Sequence, residues 1–274
     1  MIGQASRSRI WPRVIAAAVL IPTALLAVYV GGWVLAVWTT AAGLAMAREW
    51  ARIVHGETMS WRFALHALAL AVSQALLALG RPDWGFVAIL FAALVGSVAA
   101  QARDERGIWV ALGILYIAVP CLAFVWLRTL VPHGFQTVVW LLAVVWTTDS
   151  VAYVAGSLFG GPKLAPQISP GKTWAGAIAG LAAGALVAIL LAVLAGFSPT
   201  PRFVAASLAL SLLTQCGDLA ESFLKRTFGV KDASELIPGH GGALDRLDGM
   251  LFATLGLAAF VEWTGHSPID WTVP

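Results

Sequence analysis

Charge is what this sequence has least of. Of its 274 residues, 17 are Lys or Arg and 14 are Asp or Glu, or 11% of the chain, against about 25% in soluble domains. That scarcity excludes an ordinary water-soluble fold. With 59% hydrophobic residues, a domain of this length has too little polar surface to cover its apolar mass, so lipid must be the solvent for most of it. The formal charge of +3 is modest, and nucleic acid is not expected among the partners. Cysteine is nearly absent. Cys121 and Cys216 both lie in apolar runs and are expected as small buried residues, because a disulfide would need facing loops in an oxidising compartment. Arg7, Arg9 and Arg13 precede an apolar run without a clear small-residue cleavage site, so that run reads as an uncleaved first helix rather than a secretory signal. With no repeat, long linker or low-complexity tail, one membrane-embedded domain over 1–274 is the simplest organisation. Hydrophobic helices fill 1–134; helices and loops that carry chemistry fill 135–263.

What is abundant is apolar sequence in segments of membrane-spanning length. They fall near 12–31, 32–51, 63–80, 84–101, 107–130, 135–158, 174–197, 203–219 and 243–263. Only Gly31 and Gly32 separate the first two, which form a tight hairpin or one bent element. The 203–219 segment is short, and crosses at a slant or breaks before the far interface. Glycine is common inside these runs, as in transmembrane helices that approach one another closely. With the N-terminus in the cytoplasm and nine alternating crossings, fourteen Lys and Arg face inward and Arg81, Arg128 and Arg202 face outward, accounting for all 17. Merging the first two segments would put Arg103, Lys172 and Lys225 outside, against the positive-inside rule. The expectation is an all-α, polytopic transmembrane helical bundle of about nine helices, N-in and C-out, in a bacterial cytoplasmic (inner) membrane. Trp11, Trp33, Trp61, Trp84, Trp174 and Trp263 near helix ends read as interfacial anchors.

The stretch 218–248 departs from this apolar background. It holds ten of the 31 charged residues (17 + 14). A solvated loop is the ordinary explanation, but it fits poorly at the edges. Asp218 closes an apolar helix, while Asp245 and Asp248 open the next, and carboxylates set into membrane helices tend to be paired, metal-bound or functional. Asp218 with Glu221, and Asp245 with Asp248, are three apart and share a helix face. Converging carboxylates suit a hard cation such as Mg²⁺, which takes one or two carboxylates, waters and phosphate oxygens. Between them lie Pro238, Gly239, His240, Gly241 and Gly242, whose glycines let backbone N–H groups approach an anion ahead of a helix N-terminus. His240 reads as a phosphate or nucleotide contact in preference to a proton-transfer group.

A second loop, 160–173, ends in Ser169, Pro170, Gly171, Lys172 and Thr173. It is not a Walker motif: proline stands at 166, where the first glycine would be required, and no strand precedes it. What remains is a Lys and a Thr at the start of an apolar helix, an interface anchor or a place that favours an anion. Asp149, within an apolar helix, lies about 13 Å from the predicted cytoplasmic end at helical rise. It is expected to be the most deeply buried acid. It reads as a third ligand, a hydrogen-bond anchor for a lysine, or part of an ion pathway. Asp149, Lys172, Asp218 and Asp245 all fall on the cytoplasmic half under the same topology.

The run Ser222 to Arg226, then Lys231 and Asp232, then Pro238 to Asp248, closely resembles the signature of phosphatidate cytidylyltransferases, or CDP-diacylglycerol synthases. Thr148 to Ser150 through Tyr153, Lys163 to Pro166 and Ser169 to Thr173 resemble further loops of that family in the same order. The resemblance covers roughly 146–250, departing at Ala243, where the family usually carries a larger apolar residue. It implies Mg²⁺-dependent transfer of CMP from CTP to phosphatidic acid, with a second cation such as K⁺ sharing the centre and a homodimer as the assembly. On that basis Asp218 and Asp245, with Asp248 and Asp149, would hold metal. Lys172, Lys225, Arg226, Lys231 and Arg246 would contact phosphate. Ser169, Gly171, Thr173, Gly239, His240, Gly241 and Gly242 would cradle the nucleotide. Two rivals are a transporter relaying cations through Asp149, Asp218 and Asp245, and a CTP-using enzyme of isoprenoid lipids such as a CDP-archaeol synthase or polyprenol kinase.

Overall fold

The computed structural model describes residues 18–103, 105–234 and 241–272. Its elements run α1 (Ala18–Val30), α2 (Gly32–His55), α3 (Trp61–Ala78), α4 (Pro82–Gln101), α5 (Gly107–Thr129), α6 (Gly134–Phe159), β1 (Lys163–Ala165), β2 (Ser169–Thr173), α7 (Trp174–Leu194), α8 (Pro201–Thr227), α9 (Leu244–Thr264) and a 3₁₀ turn (Pro268–Trp271). Helices α3 to α8 are long and apolar enough to cross a membrane, which makes the chain a multi-pass, predominantly helical membrane protein. Every predicted apolar segment falls on a helix, the first in its described part. A one-residue break at Gly31, φ +70°, parts α1 from α2.

The chain divides into two compact units, one of residues 1–125 and 228–247, the other of 126–227 and 248–274. In the first, close backbone approach is made possible by glycine. A β-carbon at Gly43 would meet Leu70 at 2.8 Å, and one at Gly85 would meet Ser73 O at 2.9 Å. Trp50 Nε1 donates to Trp109 O at 3.2 Å, and Arg62 pairs with Glu57 and Glu105 at the α2–α3 turn and the α4–α5 loop.

The second unit is organised by α7. Gly176, Gly180 and Gly184 repeat every four residues and present one stripe to α6. A β-carbon on them would stand 2.5 Å from Ala152 O, 2.8 Å from Thr148 O and 2.6 Å from Thr148 Oγ1. Small residues at this spacing let two membrane helices touch backbone to backbone. Thr148 Oγ1 then reaches Ser211 Oγ of α8 at 2.7 Å, and Gln215 Nε2 donates to Ala177 O at 3.1 Å. Helices α8 and α9 meet just as closely, with a β-carbon at Gly217 falling 2.5 Å from Asp248 O.

Four expectations change. Helix α8 does not stop or break at Asp218; it continues to Thr227, because Leu219, Ala220, Glu221 and Leu224 are good helix formers and leaving the apolar layer does not require the helix to end. The 160–173 loop is not irregular but an antiparallel β-hairpin pairing Lys163 with Thr173 and Ala165 with Ser169. Cys216 faces outward from α8 while Cys121 is buried, and both are free thiols. Asp149 is exposed rather than the most buried acid, since it opens onto the cleft described next.

Candidate functional site

The second unit carries a cleft of about 510 Å³ lined by Asp149, Tyr153, Lys163, Ser169, Lys172 and Asp218, among others. Its walls follow from the local fold. Gly160 and Gly161, with φ of +61° and +92°, end α6 and turn the chain into β1. Pro166 opens a turn closed by the Ile168 N–H to Ala165 O bond of 3.2 Å, suiting proline at the second turn position, and β2 brings Lys172 back over the end of α6. Thr173 then caps α7, its Oγ1 accepting from Gly176 N at 3.1 Å. That hydroxyl therefore holds the helix start, and it removes one of the amides that the sequence reading offered to an anion.

Across the cleft, Lys172 Nζ lies 2.6 Å from Asp218 Oδ2. One helical turn further, Glu221 is 1% exposed and pairs with Lys225 Nζ at 2.5 Å. Asp248, buried on α9, faces Asp218, Glu221 and Asp149, and its Oδ1 accepts from Gly249 N at 2.7 Å. These six side chains comprise four carboxyl groups and two amino groups. Among the described residues, no three His, Cys, Asp or Glu side chains stand together as a ready-made metal centre. The acidic donors are nonetheless all hard oxygen ligands, the type Mg²⁺ selects.

In the first unit, Asp245 holds its own loop. Its Oδ2 accepts from Gly242 N at 2.9 Å and from Ala233 N at 3.1 Å. Gly241 has φ of +87°, a left-handed conformation that favours glycine. Arg52 Nη1 donates to Ala233 O at 3.3 Å. A further carboxylate meets this loop from α2. Glu49, 2% exposed, accepts from Ala243 N and Leu244 N. The sequence reading passed over Glu49, although an acid inside an apolar segment was the same signal that singled out Asp149.

Of the remaining predicted residues, Gly239 and His240 lie outside the described residues. Lys231 and Arg246 are exposed in the first unit. Arg226 Nε donates to Ile168 O at 3.4 Å, so it ties the tip of the hairpin to the end of α8. Lys225, expected at phosphate, is engaged by Glu221. Ser169 and Gly171 line the cleft with Lys172.

Residues 11–264 match the Cytidylyltransferase family. The chain is 41% identical over 257 residues to a phosphatidate cytidylyltransferase of Brucella abortus biovar 1, covering 92% of this chain and 93% of that protein. It is 40% identical over 154 residues to a phosphatidate cytidylyltransferase of Bacillus subtilis, covering 54% and 55% of the two chains. One from Haemophilus influenzae is 43% identical over 126 residues, 44% of each chain. With a match that runs from before α1 to the end of α9, and with the Asp218, Lys172 and Asp245 segments inside it, the chain belongs to the cytidylyltransferase family.

Proposed function

We propose that the chain transfers CMP from CTP to phosphatidic acid, forming CDP-diacylglycerol and releasing pyrophosphate. The observation that carries this reading is the cleft in which Lys163 and Lys172 share walls with Asp149 and Asp218, at one end of an otherwise apolar helical unit. Tyr153 and Trp174 beside it are 78% and 53% exposed. Outward-facing aromatics suit the boundary between acyl chains and headgroups, where a lipid phosphate and a water-soluble nucleotide can meet.

The nucleophile in this reaction is a phosphate oxygen that is already ionised, so the chain needs no strong base. That oxygen forms a bond to the α-phosphorus of CTP, the α–β bridging bond breaks, and pyrophosphate leaves with the electron pair. What the protein must supply is alignment and a counter-charge for the leaving group. Lys172 rests on Asp218 until a phosphate competes for it, and Lys163 adds a second ammonium on the same wall. Asp218 and Asp248, with Asp149 beside them, would hold Mg²⁺, which when bound neutralises phosphate oxygens. Asp245, the other ligand the resemblance implies, keeps its loop in register through two backbone amides. The resemblance also implies a second cation and a homodimer. The distribution of Lys and Arg along the chain supports a cytoplasmic site in the bacterial inner membrane.

The test is the purified chain in detergent with CTP, phosphatidic acid and Mg²⁺. CDP-diacylglycerol and pyrophosphate should appear in equal amounts, and a phosphorylated polyprenol or archaeal ether lipid should substitute poorly. Absence of any CMP-lipid with every divalent cation tried would overturn the reading.

A further inference from the structure

We infer that Glu49 is a positioning residue for this reaction, a buried carboxylate that ties Ser234 to the start of α9 at Ala243 and Leu244 from a helix some 190 positions away in sequence. The inference rests on the function proposed above. Three donors converge on its two oxygens. Ala243 N donates to Oε1 at 2.9 Å, Leu244 N donates to Oε2 at 2.7 Å, and the Ser234 hydroxyl donates to Oε1. Ser234 and Ala243 precede α9 and Leu244 opens it, whereas Glu49 belongs to α2.

Chemistry narrows the residue type. Both oxygens must accept, so an amide at this position would turn an NH₂ toward at least one N–H or O–H donor. Only an ionised carboxylate satisfies all three. The first amides of a helix have no partner within it, and the partial positive charge there favours an anion. Glu49 therefore supplies, from another element, the cap that Ala243 cannot, since alanine has no side-chain acceptor. Burial raises the stakes, because hydrogen bonds to a charged group strengthen as water is excluded, and a donor left unmet there is costly.

The same contact accounts for one glycine of the loop. A β-carbon on Gly242 would lie 2.7 Å from Glu49 Oε2 and 2.8 Å from Ala233 Cβ. Gly242 is thus held small by the carboxylate behind it, and its own N–H is committed to Asp245. Glu49 and Asp245 together hold residues 233–234 and 242–244. Glu49 grips Ser234 and the α9 start, while Asp245 grips Ala233 and Gly242. Loss of Glu49 frees the first turn of α9, on which Asp245 and Arg246 are carried.

The experiment compares the full-length wild type, Glu49→Gln and Glu49→Asp in detergent, by hydrogen–deuterium exchange, thermal midpoint and CMP-transfer kinetics. For Glu49→Gln, amides of 233–234 and 242–244 should exchange about tenfold faster or more, while those of α7 stay unchanged. Its kcat should fall about 100-fold with the KM for phosphatidic acid within about twofold, and Glu49→Asp, which keeps the charge, should recover part of kcat. Unchanged loop exchange in Glu49→Gln, or a uniform loss of protection over the whole chain, would overturn the clamp. Should Glu49→Gln fail to fold, Ser234→Ala removes one donor alone. It should speed exchange in the same loop, and its failure to do so counts against the clamp equally. If the wild type transfers no CMP, the functional reading falls while exchange still decides whether Glu49 holds the loop.

Discussion

Lys172 on β2 and Asp218 on α8 meet at 2.6 Å across the cleft, their side chains 23% and 38% exposed. Lys172 Nζ itself is buried, but the carboxylate side is open to solvent, which screens the pair and holds its contribution to stability to about 0.5 kcal/mol. Its value lies in holding an ammonium and a carboxylate in the position where a phosphate and a cation would each take one of them.

Lys172→Met and Asp218→Asn should therefore separate activity from stability. Each is expected to lower kcat/KM for CTP about 100-fold or more, while the thermal midpoint in detergent moves by less than about 3 °C. A midpoint that falls in step with activity would make the pair structural.

Asp248 gives the opposite pairing of effects. It is buried beside Asp218, Glu221 and Asp149, so Asp248→Asn takes one carboxyl group out of an acidic cluster. The variant should be at least as stable as the wild type when Mg²⁺ is absent, yet lose transfer activity. Added Mg²⁺ should raise the wild-type midpoint more than the variant's, by linkage of binding to folding. Equal shifts would take Asp248 out of the metal site.

The glycine stripe of α7 predicts a packing defect. Gly176→Ala places a methyl 2.5 Å from Ala152 O, and overpacking of this kind costs about 1–3 kcal/mol. Gly171→Ala is the control, because nothing lies within 4 Å of its β-carbon position. Its midpoint should match the wild type. Equal midpoints for both variants would contradict the close α6–α7 contact.

The Lys and Arg bias predicts that the segment after α9 lies outside the cell. His266, whose side chain is 69% exposed, sits beyond α9. With Cys121 and Cys216 replaced, His266→Cys should react with a membrane-impermeant maleimide on intact cells. Protection there, with labelling only after permeabilisation, would reverse the C-out orientation.

Hydropathy alone located the helices, because a bilayer allows few backbone arrangements other than a helix across an apolar run. It did not locate helix ends, since α8 continues as one helix past Asp218 to Thr227. The β-hairpin was within reach. Pro166 one residue past β1 and Ser169 opening β2 carry turn chemistry, but the fourteen residues 160–173 with three prolines read as loop. The acids of the cleft stood out because charge is scarce in lipid. Lys225 is paired with Glu221, one turn back on its own helix, a contact that loop composition does not reveal. Glu49 shows the remaining limit. Its partners are backbone amides at 243 and 244, and backbone donors leave no mark on a sequence.

The most direct test of the central claim uses CTP carrying a phosphorus label at either the α or the γ position, with phosphatidic acid, Mg²⁺ and lipid extraction. CMP transfer moves the α label into the lipid phase and leaves the γ label in water as pyrophosphate. A γ label in the lipid would make the chain a kinase, and no label in the lipid from either nucleotide would contradict the account outright.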